Sequence, residues 1–159
     1  MKYPIGIQSF ERIIEDGYVY VDKTHLIYDL THSGSIYFLS RPRRFGKSLL
    51  VSTLENYYLG RKELFKGLAM EKLEKEWNVH PVFHVDFNGA NFTKEGVLET
   101  MLEDYVNKWE KQYGLHTNRE LETGLRFRDV LKSAHEQTGH RAVVLIDEYD
   151  KPILDVLDI

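Results

Sequence analysis

Residues 36–58 join an apolar run to an amphipathic helix through a short basic loop, and few folds accept that succession. Ile36-Tyr37-Phe38-Leu39 reads as a buried strand. Ser40-Arg41-Pro42-Arg43-Arg44-Phe45-Gly46-Lys47-Ser48 follows it. Leu50, Leu54, Tyr57 and Tyr58 then fall at i, i+4, i+7 and i+8, the spacing of one helical face, and Gly60 ends the helix. In a strand–loop–helix of this kind the backbone N–H groups of the loop and of the first helical turn converge on one point, where they suit an anion.

The residue types at that point are those a nucleotide phosphate needs. Gly46 lets the backbone approach closely because it carries no side chain. Lys47 would set its ammonium on the β- and γ-phosphate oxygens, and Ser48 its hydroxyl on Mg²⁺. The phosphate cradle is expected to run through Arg43, Arg44, Phe45, Gly46, Lys47, Ser48 and Leu49. The pattern G-x-x-x-x-G-K-[ST] wants a glycine where this chain has Arg41, and Pro42 has no N–H to give.

A second segment answers the first. Ala142-Val143-Val144-Leu145-Ile146 is a continuous apolar strand that ends in Asp147-Glu148. In open parallel sheets ligands bind outside the carboxyl ends of the strands, which is where this acidic pair falls. Asp147 would hold Mg²⁺, and Glu148 would orient or deprotonate an attacking water. Lys47 and Glu148 are the expected catalytic residues, Ser48 and Asp147 the metal residues, with ATP and Mg²⁺ as cofactors. The competing reading is a buried strand that closes in a solvated acidic turn.

The rest of the chain alternates in the same manner. Ser9–Glu15 reads as a short helix and Tyr18–Val21 as a short strand. Asp22 caps a helix over Lys23–Thr31. Residues 62–76 read as helical with a break near Gly67, and Pro81 precedes a strand over Val82–Phe87. Leu98, Met101, Leu102, Tyr105, Trp109 and Tyr113 keep helical spacing up to Gly114, and a shorter helix runs over Leu125–Gln137 to Gly139. Strands alternating with helices predict an α/β layer with a mostly parallel sheet.

Composition excludes several classes. Hydrophobic residues make up 42% and charged residues 29% of 159, which suits one packed domain. The absence of cysteine removes disulfides, thiolate metal sites and a cysteine nucleophile. A net charge of −4 opposes a whole-domain nucleic-acid footprint, although Arg41, Arg43, Arg44 and Lys47 form a local basic cluster. No apolar run is long enough to span a bilayer and the N-terminus is unlike a signal peptide, so a soluble, cytoplasmic protein with no membrane partner is expected. His80 and His84 lie roughly 13 Å apart on an extended chain, too far to share a metal. The chain stops inside an apolar pattern at Val156-Leu157, which reads as a cut.

Four strings together resemble a known family: Tyr20-Val21-Asp22-Lys23-Thr24, Phe38 to Leu50, Leu64-Phe65-Lys66-Gly67-Leu68, and Leu145-Ile146-Asp147-Glu148-Tyr149-Asp150-Lys151-Pro152. They look like the AAA-ATPase-like family, in which the Arg-Pro form of the loop is usual and a C-terminal PD-(D/E)XK nuclease-like domain often follows. The resemblance implies a P-loop NTPase, a three-layer sandwich with a mostly parallel sheet. It would comprise a lead-in segment, residues 1–35, and a partial ATPase domain, residues 36–159, truncated after the acidic strand. In related ATPases a further strand with a polar sensor lies between the phosphate-loop strand and the acidic strand. The Ile36–Leu39 and Ala142–Ile146 strands are therefore not expected to pair directly.

The function expected is an ATP-binding domain, an Mg²⁺-dependent ATPase that drives or gates an attached effector domain. A nucleotide-sensing module without turnover is the alternative, allowed by Arg41-Pro42. A nucleic-acid-binding piece that uses the arginine cluster is a third. Asp22-Lys23-Thr24 has two readings as well, a helix cap or a segment near the nucleotide base.

Overall fold

The computed structural model describes residues 1–40 and 46–157, and the chain divides into two compact units, Met1–His80 and Pro81–Ile159. The first unit is helical. α1 (Phe10–Glu15) starts at Ser9, whose hydroxyl accepts the Arg12 N–H, an N-cap of the ordinary kind. α2 covers Thr24–Ser33 and α3 covers Lys47–Tyr58. A 3₁₀ turn at Lys62–Phe65 and the short helix α4 (Ala69–Leu73) follow, with the break at Gly67 between them as expected.

These helices close on a core of Phe10, Ile27, Leu64, Phe65 and Met70, with Leu49, Leu50, Leu54, Tyr57 and Trp77 packed against it. The amphipathic stripe of α3 thus faces inward. The core draws on residues from both sides of position 35/36, where the sequence suggested a lead-in segment would end.

Two expected strands of this unit do not form. Ile36–Leu39 lies in no strand, and Ile36 and Phe38 are 92% and 74% exposed. Tyr37 instead turns its hydroxyl back to the Leu30 carbonyl at 2.6 Å, closing the end of α2. Tyr18–Val21 is reduced to one parallel bridge, Lys2 with Tyr18. An apolar run becomes a strand only through a continuous ladder of backbone hydrogen bonds, not through apolar character alone.

The second unit is an α/β layer. β1 (Val82–Asp86) and β2 (Val143–Asp147) pair in parallel, in register from Val82 with Val143 to Asp86 with Asp147. Between them run α5 (Val97–Gln112) and α6 (Thr123–Thr138), the crossover that parallel strands require. Gly139 ends α6 in the left-handed conformation, φ 72°, and its N–H bonds the His135 carbonyl. Phe83 and Val85 of β1 pack against Val106 and Trp109 of α5 and Val130 and Ala134 of α6. α7 (Lys151–Leu157) follows β2 after a short turn, with Pro152 in its first turn, where a missing N–H costs nothing. Among the described residues no helix is long and apolar enough to cross a membrane.

The parallel pairing agrees with the sheet expected from sequence. Among the described residues that sheet has two strands.

Candidate functional site

In the first unit the candidate residues stand at the start of α3. Gly46 is the N-cap residue, with φ 76° and ψ 18°. A Cβ there would meet nothing within 4 Å, so the left-handed backbone, not crowding, calls for glycine. Having no side chain, Gly46 cannot cap the first turn, and the N–H groups of a twelve-residue helix open there. Lys47 and Ser48 are the first two helical residues, both half-buried. Leu49 turns its side chain into the core, so its backbone alone is offered to a ligand. Arg43, Arg44 and Phe45, assigned to the cradle from sequence, lie outside the described residues, as do Arg41 and Pro42.

In the second unit β2 delivers Asp147, 7% exposed, at the carboxyl end of the parallel pair. Its Oδ1 accepts the Glu148 N–H at 3.0 Å. Glu148 has φ 53°, a left-handed backbone that non-glycine residues adopt at a cost of roughly 1–2 kcal/mol. That kink ends the strand at once and starts the turn into α7. Lys151 N–H bonds the Glu148 carbonyl at 3.0 Å. Asp150, just before α7, has a buried Oδ1 with no hydrogen-bond partner among the described residues.

Sequence reasoning missed the neighbour of Asp147. Asp86 is its registered partner on β1, and partners across a parallel pair project to the same face at a strand spacing of about 4.8 Å. Asp86 Oδ1 accepts the Asn88 N–H at 2.8 Å, and the Tyr105 hydroxyl bonds the Asp86 N–H at 3.1 Å. The signal was available, since Val-Phe-His-Val-Asp and Val-Val-Leu-Ile-Asp both close an apolar strand with aspartate. The donors that register brings side by side, Asp86 and Asp147, are oxygens, the kind that suits a hard divalent cation and not a soft one. No group of three or more metal-ligating side chains gathers among the described residues.

The Asp22-Lys23-Thr24 string is tied up in packing. Asp22 Oδ1 accepts from the Thr24 N–H at 2.9 Å and from its hydroxyl at 2.7 Å. Asp22 Oδ2 accepts the Ala69 N–H at 2.7 Å, and the Thr24 hydroxyl oxygen accepts the Met70 N–H at 3.0 Å. The aspartate thus acts one residue before the N-cap position of α2 and holds α2 to α4.

The second unit is thus a parallel-stranded α/β layer ending in acidic residues, and the first carries a helix that opens behind a left-handed glycine with Lys-Ser, features the AAA-ATPase-like resemblance led one to expect. The comparison with known families agrees: residues 4–159 match the AAA-ATPase-like family, described as predicted AAA-ATPase, and the chain belongs to it. It is also 43% identical over 157 residues to a protein of Azotobacter chroococcum mcd 1 described as an uncharacterized protein in the vnfD 5′ region. The match covers 98% of this chain and 30% of that relative's length. No solved structure matches the chain.

Proposed function

We propose that the chain is a P-loop domain, built on the three-layer parallel-sheet plan, that binds ATP with Mg²⁺ and hydrolyses it. The observation that carries this reading is Gly46-Lys47-Ser48: a left-handed glycine directly before a long helix whose first residues are lysine and serine. Family membership supports it.

In this reading the N–H groups of Gly46 through Leu49, with those of Arg43, Arg44 and Phe45, hold the phosphates. The Lys47 ammonium neutralises the β- and γ-phosphate oxygens. Ser48 and Asp147 are the residues that would hold Mg²⁺, and bound there the ion withdraws charge from the phosphate oxygens. Glu148 takes the proton of the attacking water. The water oxygen bonds the γ-phosphorus, and the bond from that phosphorus to the bridging oxygen breaks. The electron pair leaves with ADP, and inorganic phosphate is released. Glu148 follows Asp147 directly, so one strand end supplies both the metal carboxylate and the base.

The domain's work would be to drive or gate an effector. This chain spans 30% of the length of its Azotobacter relative, which leaves room in that longer protein for a further domain. A second reading, a nucleotide sensor without turnover, is favoured by Arg41-Pro42 in place of glycine and an N–H donor. Calorimetry with Mg-ATP and a single-turnover assay on the same preparation separate the two. Binding with turnover supports the ATPase, binding alone supports the sensor, and no binding refutes both.

A further inference from the structure

We propose that Lys151, Asp155 and Phe92 form a latch that sets the conformation of Glu148, which makes Lys151 and Asp155 positioning residues for the water-activating carboxylate. This rests on the hydrolytic reading above. The starting point is the left-handed backbone of Glu148. A non-glycine residue stays there only when its surroundings over-determine it.

The surroundings do so through a closed circuit of contacts. The Lys151 N–H bonds the Glu148 carbonyl at 3.0 Å. One turn along α7, Lys151 Nζ reaches Asp155 Oδ2 at 2.6 Å. The same carboxylate oxygen accepts the Phe92 N–H at 3.2 Å, a bond across 63 positions of sequence. Lys151 Nζ also stands 5.6 Å from the centroid of the Phe92 ring. Phe92 is 6% exposed and packs edge-on against Phe87, with centroids 5.9 Å apart. Phe87 closes the circuit, since its N–H bonds the Asp147 carbonyl at 3.2 Å.

The Lys151–Asp155 pair differs from the i,i+4 pairs Arg12–Asp16 and Lys132–Glu136. Its side chains are 23% and 22% exposed, whereas those of Arg12–Asp16 are 65% and 50% and those of Lys132–Glu136 are 73% and 62%. Exposed pairs of that kind contribute little, because water screens them. The Lys151 ammonium is half withdrawn from water, meets an aromatic face, and shares its carboxylate with a backbone N–H from the loop after β1. Its energy is therefore available to hold that loop, α7 and the Asp147–Glu148 turn in one arrangement.

The test uses the full chain with Asp155→Ala, Lys151→Met and Lys151→Arg. Methionine keeps most of the lysine stem and guards against a misfolded alanine variant; arginine keeps the charge. Two readouts are taken: amide hydrogen exchange at residues 148–150, and single-turnover ATP hydrolysis beside Mg-ATP affinity. Asp155→Ala and Lys151→Met should raise exchange at 148–150 about tenfold while amides of β1 and β2 keep their rates. Hydrolysis should fall at least about tenfold with affinity held within about twofold, and Lys151→Arg should recover most of both. Unchanged exchange at 148–150 would overturn the latch. Raised exchange with parental hydrolysis would overturn its positioning role. If the parent binds ATP without turning it over, the hydrolytic reading fails and the positioning role with it, while the exchange data still decide whether the latch exists.

Discussion

Asp22 Oδ2 accepts the Ala69 N–H at 2.7 Å, joining residues 47 positions apart and fastening the start of α2 to the start of α4. Thr24 doubles the tie by accepting the Met70 N–H. The sequence reading of Asp22 as the helix cap is one residue early, since the N-cap position falls at Lys23, and the Asp22 carboxylate serves to tie the start of α2 to α4. Asp22→Ala should cost about 1–2 kcal/mol, since three hydrogen bonds go but the carboxylate is exposed and partly screened. Thermal unfolding checks this.

The same aspartate predicts a pH effect. Desolvation raises its pKa. The hydrogen bonds from the Thr24 hydroxyl, the Thr24 N–H and the Ala69 N–H, with the charge of His25, outweigh that and hold it below the usual carboxylate range. A carboxyl that is more acidic folded than unfolded adds stability above its unfolded pKa, about 4, and loses it as pH falls through the lower folded value. Asp22→Asn should flatten that part of the acid-unfolding profile. An unchanged profile would place the linkage elsewhere.

Arg126 and Glu110 are paired in the interior of the second unit, 3% and 4% exposed at their side chains. Arg126 Nε and Nη2 reach Glu110 Oε1 and Oε2 at 2.9 and 2.8 Å, with Asn107 and Glu103 also on the guanidinium and Thr117 on the carboxylate. Glu110→Ala should cost about 3–5 kcal/mol by stranding a buried charge, while Glu110→Leu with Arg126→Met should cost much less. Denaturant unfolding that ranks the double variant equal to or below the single one would contradict this.

Lys47→Ala should lower Mg-ATP affinity by at least about tenfold, because the proposed phosphate site would lose its ammonium. Calorimetry against the parent reads this directly, and equal affinities would refute the phosphate site.

Glu148 allows its chemistry and its backbone to be tested apart. Glu148→Gln should keep nucleotide affinity and lose turnover by about 10²-fold or more, having the shape of the carboxylate without its basicity. Glu148→Gly should be more stable than Glu148→Ala by about 1 kcal/mol, reversing the usual order because the backbone is left-handed there. Melting temperatures in the ordinary order would contradict the observed φ.

The sequence was legible where a pattern is local. α5 and α6 follow from helical spacing and a closing glycine, and β1 and β2 from short apolar-rich runs, the first read one residue too long at Phe87. The start of α3 at Lys47 is where the loop pattern put it. Ile36–Leu39 was misread as a strand because an apolar run carries no information about whether a neighbouring strand is there to pair with it. Lys151, Asp155 and Phe92 were unreadable for a related reason. Lysine and aspartate one helical turn apart are common surface decoration, and only the fold brings the Phe92 N–H to the carboxylate. Of the candidate site, the acidic pair and the first turn of α3 could be read from composition and order. The pairing of Asp86 with Asp147 required strand register.

The two tryptophans fall one to each unit: Trp77 packs against the Phe10–Phe65 core, and Trp109 lies within the core around Phe83. Their rings sit among other aromatics, Trp77 at 5.2 Å from Phe65 and Trp109 at 5.3 Å from both Tyr105 and Phe127. The protein therefore carries its own pair of optical reporters. A single Trp→Phe exchange leaves one emitter, and its fluorescence follows the melting of one core without a label. Recorded on titration with Mg-ATP, the two single-tryptophan proteins would tell which half of the chain feels the nucleotide.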